Sequence, residues 1–587
     1  MEKVGTQREC SKGGGQDGFF LQEAPTLEGS NAYGEDPILS PFLKRHLSKC
    51  DLARVQPDLL RFGGRVRSDV ARLSAIASRS YNKPRLVQHN GWGHRVDEIV
   101  VSPEWEKLHD VAAEEGVVSI GYDPTLGEHA RLVQFVKLFM FVPVSSLVSC
   151  PLAMTDGAAK LIQDLDTRDP ELRDVFDTLT SRDPKAFFTS GQWMTERTGG
   201  SDLHRTETRA EKDPDAPASS GLYRLFGYKF FTSATTSPVA FALARTGEGP
   251  GTRGLSLFFV RTRLPSGELN HLVVHRLKDK LGTDEVPTAE LELRGTRARL
   301  VGEPGRGIPT IAALFNVTRI HTGLAGVSSM RYITALAKDY AHRREVAGRP
   351  LAESILHQRT LAEMEQVTQV HTLFVLDVCR RFGRSERARD PTARADAGDL
   401  LRLLTPLLKL YSSKVGLRVV AEGLECFGGA GYMEDTGIPR ALRDQVVNCI
   451  WEGCTNVLAL DVLRCVARSP QSVVLYANVV NSNIGPSISD PRLSSAARAV
   501  RARVNAALHF LASSSPKSPA LHASARALAY SLAHGYLGAL AIEHAAYTNC
   551  PTNIYMAHEF VVNQAPTDQL LPDADGIPHI IKFASRL

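Results

Sequence analysis

Apolar residues recur at helical spacing from about residue 55 to 180, with Pro- and Asp-rich breaks near Tyr122–Thr125 and Thr167–Pro170. Between Ala186 and Leu300 the texture changes to short runs, YRLFGYKFF, FALART, LSLFFVR, HLVVHRL and AELELR, in which apolar and polar residues alternate between Gly or Pro turns. This predicts a compact antiparallel β domain. After the turn GEPGRG (Gly302–Gly307) helical spacing returns, from Pro309 to about Arg343, about Ala352 to Phe382, Gly398 to Cys426 and Pro439 to about Ala467. Four such segments predict an antiparallel bundle, with the charged stretch RSERARDPTARADA (384–397) as a mobile loop. An Ala- and Arg-rich block from Pro491 to about Tyr547 reads as an appended helical domain, and no internal repeat is evident. The Gly- and Pro-containing start reads as an arm draped over a neighbour. The expected class is therefore α+β multidomain: an N-terminal arm (1–54), an N-terminal helical domain (55–185), a central antiparallel β domain (186–302), a C-terminal four-helix bundle (303–470), and an appended helical domain and tail (471–587).

A chain of 587 residues exceeds what one hydrophobic core supports, in keeping with several domains. With 43% hydrophobic and 23% charged residues and a formal charge of +5, it reads as globular and gives no general case for nucleic acid. Nine scattered cysteines suit reduced thiols inside a cell, and without a CxxC pair no metal site is expected. The N-terminus lacks the apolar core of a signal peptide. The most apolar run, Phe135–Met154, is interrupted by Lys137, Pro143 and Pro151, which predicts a buried helix pair rather than a membrane span. The last residues, Ser585-Arg586-Leu587, stand one step from the SKL address, so the expected location is peroxisomal, otherwise cytoplasmic.

Candidate chemistry concentrates in VNCIWEGCTNVLALDVLR (Val447–Arg464), where Glu452 lies between Trp451 and Gly453. It reads either as one reactive carboxylate at a turn or as a helix-N-terminal glutamate stabilised by the dipole. In MTERTGGSD (Met194–Asp202), Gly199 and Gly200 let backbone amides approach a ligand while Thr195 and Ser201 offer hydroxyls; a plain turn between strands is the alternative. Gly428, Gly429 and Gly431 suit a backbone packed on pyrophosphate, or a glycine turn between helices. Arg492, Arg498, Arg501, Arg503, Lys517 and Arg526, against few acids, read as a solvated helical face with arginines lying over alanine.

Taken together, MTERTGGSD resembles the flavin-binding signature of the acyl-CoA dehydrogenase family, usually written VTEPGAGSD. CFGGAGYMED (Cys426–Asp435) resembles its GGxGY signature and RDQVVNCIWEG (Arg443–Gly453) its catalytic-loop stretch ending in YEG. The resemblance covers roughly residues 90 to 470 and is nearest the branch typified by the adaptive-response flavoprotein AidB, which shares GGSD, the tryptophan before the glutamate, a CPxxMT segment like Cys150–Thr155 and an extra C-terminal helical domain. It implies FAD, held by Met194, Thr195, Gly200 and Ser201. KFFTS (Lys229–Ser233) resembles the family's KMWITN, which puts Phe231 against the flavin ring and Ser233 near N5. Arg344 and Gln358, in and after REVAGRPL, together with Glu425, Gly428 and Gly429, are implied at a boundary shared with a neighbouring subunit's FAD, and Cys454 and Asn456 are further implied cofactor contacts. Glu425 stands where many relatives carry glutamine. The active unit is then a homo-oligomer, expected as a homotetramer.

The resemblance also implies an acyl-CoA substrate and Glu452 as the base that removes its α-proton. Some relatives place the base in a segment resembled by FNVTRI (Phe315–Ile320), where this chain has Thr318. Arg319 is expected to orient the catalytic loop or meet acyl-CoA. The implied activity is an FAD-dependent acyl-CoA dehydrogenase forming an α,β double bond, for fatty-acid breakdown or for tailoring an acyl chain of a specialised metabolite. The alternatives are an AidB-type flavoprotein that binds acyl ligands or DNA with weak catalysis, an oxygen-using acyl-CoA oxidase, and nitroalkane oxidation, whose relatives carry aspartate as base.

Overall fold

The computed structural model describes residues 23–217, 219–247 and 251–563. The N-terminal region contains α1 (Leu39–His46), α2 (Lys49–Arg65), α3 (Asp69–Ala77), α4 (Pro103–Glu114), α5 (Ala130–Phe141), α6 (Ser149–Asp164) and α7 (Pro170–Leu179). Over residues 23–54 the expected arm is corrected here, and residues 1–22 of it lie outside the described residues. Leu39, Phe42 and Leu43 of α1, at i, i+3 and i+4, are buried in the chain's own core. Residues 23–38 lie along the chain's own bundle, where Thr26 N donates to Asp339 Oδ2 at 2.8 Å and Asp36 pairs with Arg331 at 2.9 Å. The helical domain also contains an unexpected hairpin, β1 (Arg85–His89) and β2 (Arg95–Val100). Its turn is Asn90-Gly91, and the Asn90 side chain accepts from Trp92 N and His94 N, turn chemistry that outweighs the helical spacing around it. α5 and α6 are the expected buried pair, broken by a 3-10 turn at Val142–Val144.

The middle domain contains β3 (Ser190–Trp193), β4 (Arg209–Lys212), β5 (Leu222–Ser233), β6 (Val239–Arg245), β7 (Leu255–Arg261), β8 (Leu272–Leu277) and β9 (Thr288–Val301). The order β3-β6-β4-β5-β9-β7, with β6 also paired to β7, wraps the sheet around an interior of Trp193, Leu225, Phe258, Val260 and Leu291. The pairing is antiparallel apart from β3 on β6 and a single Arg209–Arg245 bridge between β4 and β6, which are parallel. The wrap brings the 12-residue β5 across the sheet and carries its end, Phe231–Ser233, toward the helical domains.

The bundle consists of α8 (Gly307–Arg343), α9 (Ile355–Arg387), α10 (Pro391–Glu425), α11 (Pro439–Asn448) and α12 (Thr455–Arg468). Two expectations are corrected. The 384–397 stretch is no mobile loop: α9 continues to Arg387, and the Asp390 side chain caps α10 by accepting from Thr392 N and Ala393 N. The segment after Pro439 is no single helix, since it breaks between Asn448 and Thr455.

The remaining helices are α13 (Pro470–Ile484), α14 (Ser494–Ser513), α15 (Pro519–Ala523), α16 (Ala525–Thr548) and α17 (Pro551–Asn563). They form the expected added helical domain, and it packs closely on the rest of the chain. Tyr536 of α16 donates to Asp377 of α9 at 2.5 Å, and Glu543 pairs with Arg45 of α1. No described helix is long and apolar enough to cross a membrane. The tripeptide Ser585-Arg586-Leu587 lies outside the described residues.

One buried network locks the base of α8. Arg131 of α5 pairs with Asp156 of α6 at 2.7 Å and Glu386 of α9 at 2.8 Å, while His321 Nε2 lies 2.9 Å from Asp156. Arg131 and Asp156 are fully buried, and the Arg131 guanidinium with the His321 hydrogen bond holds the Asp156 carboxyl below the usual carboxylate range despite burial.

Candidate active site

The break between α11 and α12 presents Glu452. Glu452 and Gly453 both take positive φ, +56° and +101°. Gly453 adopts this freely, whereas a glutamate in the left-handed region costs about 1–2 kcal/mol, so the surroundings must hold it there. Arg319 Nε donates to Glu452 O at 3.3 Å, Lys409 Nζ donates to Gly453 O, and Trp451 Nε1 donates to Asn448 Oδ1 at 3.1 Å. Arg319 also pairs with Asp461 of α12 at 2.9 Å. Both of its contacts are with the loop and the helix that follows it, the loop-orienting arrangement.

The Glu452 carboxylate points back onto α8, where Thr318 Oγ1 donates to Oε2 at 2.7 Å. Burial pushes the Glu452 carboxyl above its usual range, and Thr318, Arg319 and Lys409 pull against that shift. Opposite it, burial lowers the Lys409 ammonium to about 8. Cys454 and Asn456 are exposed at the start of α12, beside the same loop.

The wall expected to face a flavin is assembled from two motifs. Phe230 N donates to Thr195 O at 2.9 Å, which lashes the MTERTGGSD turn to β5. Met194 is buried, Thr195 half-buried, and Gly200 and Ser201 exposed. A Cβ on Gly199 would sit 2.3 Å from Asp202 O, and one on Gly200 3.2 Å from the Thr195 side chain, so the turn closes only on bare backbone. Phe231 is 49% exposed. Ser233, two residues along the same strand face, contacts Thr288 Oγ1 at 3.1 Å. An open aromatic face, bare glycine backbone and flanking hydroxyls fit a flat heteroaromatic ring bearing carbonyl oxygens, which is what isoalloxazine presents.

The β domain that carries the wall is tied to the helix before the loop. Lys280 Nζ donates to Val286 O at 2.7 Å and lies 3.4 Å from Thr288 Oγ1. Cys150 of α6, whose thiol burial pushes up to about 12, feels both Lys280 and Glu452. Thr283 N donates to Asp444 Oδ1 of α11 at 2.7 Å, binding the β domain to the helix before the loop.

The other expected cofactor residues form a separate cluster. Arg344 terminates α8, 26 residues beyond Thr318, or roughly 40 Å at 1.5 Å per residue. Near it Tyr340 packs on Phe427 with ring centroids 5.1 Å apart, which brings in exposed Glu425, Gly428 and Gly429. Gln358 is exposed at the start of α9 and donates to Ala352 O at 2.7 Å. Gly428 has φ +58° with open space around its missing Cβ, whereas a Cβ on Gly431 would lie 2.0 Å from Leu424 O. The exposed apolar side chains Val346, Ile355, Leu356, Tyr432 and Met433 crowd this same end.

Sequence reasoning missed three participants. Glu196 is buried and takes hydrogen bonds from Lys229 Nζ at 2.7 Å, Thr208 Oγ1 at 2.5 Å and Glu207 N at 2.6 Å; the Lys229 ammonium holds its carboxyl below the usual range. The signal was a charged residue inside each of two flavin motifs. Lys409, the lone cation in TPLLKLY, was the other.

Comparison with known proteins assigns residues 22–183 to the adaptive response protein AidB N-terminal domain, 191–296 to the acyl-CoA dehydrogenase middle domain, 305–467 to the acyl-CoA dehydrogenase C-terminal domain and 471–568 to the acyl-CoA dehydrogenase 11 C-terminal domain-like family. The chain is 40% identical over 582 residues to acyl-CoA dehydrogenase family member 11 of Caenorhabditis elegans, covering 96% of this chain and 91% of that protein. It is 32% identical over 454 residues to AidB of Escherichia coli, covering 76% and 79%. A crystal structure of Caenorhabditis elegans ACDH-11 in complex with C11-CoA superposes with a TM-score of 0.91 at 38% identity, covering 99% of this chain and all of that one.

Proposed function

Since the chain belongs to the acyl-CoA dehydrogenase family, in its AidB-like branch, we propose that it is an FAD-dependent dehydrogenase that introduces an α,β double bond into an acyl-CoA. The observation that carries this reading is Glu452: a desolvated carboxylate on a strained turn, hydrogen-bonded by Thr318 and held at its backbone by Arg319 and Lys409. Bound FAD supplies the two-electron acceptor at the substrate β-carbon. The protein's part is to hold a basic oxygen where the α-proton leaves. Partial burial raises the affinity of that oxygen for the proton, and the fixed turn removes the entropy of searching for it. Phe231 supplies a flat apolar support, and Thr195, Ser201 and Ser233 supply hydroxyls at its margin. Acyl-CoA as the substrate class is supported by the relative crystallised with C11-CoA.

Anaerobic addition of a panel of acyl-CoAs to the FAD-loaded protein tests this. Bleaching of the flavin absorbance by at least one chain length, lost in Glu452→Gln, is expected; no bleaching by any of them would refute it. Hydrogen peroxide release during aerobic turnover would mark an oxidase. The functional unit is a homo-oligomer in this reading, because the exposed Ile355, Leu356, Tyr432 and Met433 surround the second cofactor cluster and call for a covering copy. Light scattering of the purified protein checks it, a monomer being the contrary result. DNA is less favoured, since Arg492 is engaged by Asp490 at 2.8 Å and Arg526 lies over the Tyr530 ring.

A further inference from the structure

Lys409 sits on α10 between Leu408 and Leu410, with none of its surface exposed. Its Nζ donates to Gly453 O, the carbonyl one residue past Glu452. A buried ammonium with a backbone carbonyl as acceptor is a costly way to satisfy one oxygen, because a neutral amide donor would do so without desolvating a charge. The charge therefore needs its own explanation.

The groups around it supply one. Lys409 faces Glu452 first, then the Cys449 and Cys454 thiols, with Arg319 opposing. Glu452 in turn faces Thr318 and Arg319 of α8, the latter already tied to Asp461, and Cys150 of α6 with Lys280 behind it. Among these cations Arg319 divides its guanidinium between the Glu452 carbonyl and Asp461. Lys409 is the cation that α10 delivers from beneath the turn.

We propose that Lys409 is the positioning residue of the base: its buried ammonium clamps the Gly453 carbonyl, fixes the two left-handed residues of the turn, and keeps a positive charge beside the Glu452 carboxylate. This deepens the catalytic reading above and rests on it for its purpose. Burial drives Glu452 toward its neutral form, in which it accepts no proton. A fixed cation below the turn restores the ionised form without touching the substrate face. After proton transfer the pair is reduced to one charge, which favours return of the proton to solvent and resets the site.

The test separates clamp from charge and needs no turnover. Infrared difference spectra of the FAD-loaded protein, recorded across pH without acyl-CoA, follow the carboxyl band of Glu452, assigned by its loss in Glu452→Gln. Lys409→Met, and Lys409→Gln, which keeps a donor for Gly453 O, are expected to move the midpoint upward by about one pH unit. Lys409→Arg, which keeps the charge, is expected to leave it close to wild type. A tie that is merely structural would lower the melting temperature and FAD content of Lys409→Met and leave the midpoint of Lys409→Gln unmoved. An unmoved midpoint in either neutral variant that retains FAD overturns the proposal. If no acyl-CoA bleached the wild-type flavin, the dehydrogenase reading would fall while the titration still reported on Lys409.

Discussion

The hydrogen bond from Thr318 Oγ1 to Glu452 Oε2, at 2.7 Å, can be removed with little change of shape by Thr318→Val. Thr318 is 3% exposed and its hydroxyl otherwise makes only long contacts to Leu314 O and Phe315 O, at 3.3 and 3.2 Å, so a methyl in its place costs the helix little. A hydrogen bond to an ionised group is worth about 1.5–3 kcal/mol net. Glu452 keeps partial contact with solvent, which argues for the low end. At 1.36 kcal/mol per unit this raises the Glu452 midpoint by about one pH unit. Stopped-flow flavin reduction by a reactive acyl-CoA, measured anaerobically across pH, should show the acid limb displaced upward by that amount. Well below the wild-type midpoint the variant is then about tenfold slower, whereas on the alkaline plateau the two rates converge. An acid limb that stays in place would refute the assignment of Thr318 as the carboxylate's donor. An equal loss at every pH would mean that the base was displaced rather than retitrated.

Three other outcomes follow from the same geometry. Glu452→Gln should raise the melting temperature near neutral pH: the folded carboxyl binds its proton more tightly than the unfolded one, so ionisation opposes folding above the folded midpoint, and the advantage of the variant, read by calorimetry, fades as pH falls through that midpoint to below the unfolded value. Lys229→Met leaves the buried Glu196 without its cation, which should cost about 3–5 kcal/mol and release FAD, measured by urea unfolding and by the flavin-to-protein absorbance ratio. Arg131→Met strands Asp156 and Glu386 under α8 at a similar cost of about 3–5 kcal/mol; wild-type stability from this network should fall as pH drops through the depressed Asp156 midpoint, and a pH-independent difference between the two proteins in acid would contradict it.

Much of the architecture is written locally. The amphipathic spacing of α2 and α7 survives folding because each buries the face its own pattern marks, Val55, Leu59 and Phe62 in one and Leu172, Val175 and Leu179 in the other, whereas β7 and the second half of α9 are buried on every side. What escaped depended on partners distant in sequence or on one strong local turn. Asn90-Gly91 makes a hairpin inside a helical neighbourhood. Asp390 starts α10 within a stretch whose charges suggested solvent. At the site, Glu452 and the glycine turns were legible because the reactive residue types are few. Its break from α11 was not, because the left-handed turn is imposed by Arg319 and Lys409, about 130 and 45 residues away along the chain. Lys409 itself looked like the polar position of an ordinary helix, and only the packing of α10 under the loop gives it another meaning.

The contact between Thr318 and Glu452 also bears on how this scaffold changes over time. A carboxylate grown from position 318 of α8 would meet the oxygen now presented from the loop, so two substitutions exchange the bearer of the proton while the acceptor point stays where the substrate needs it. The left-handed glutamate is then one of two mounts from which a carboxylate can reach this point, and the double variant Thr318→Glu with Glu452→Gly would move it from the loop to α8.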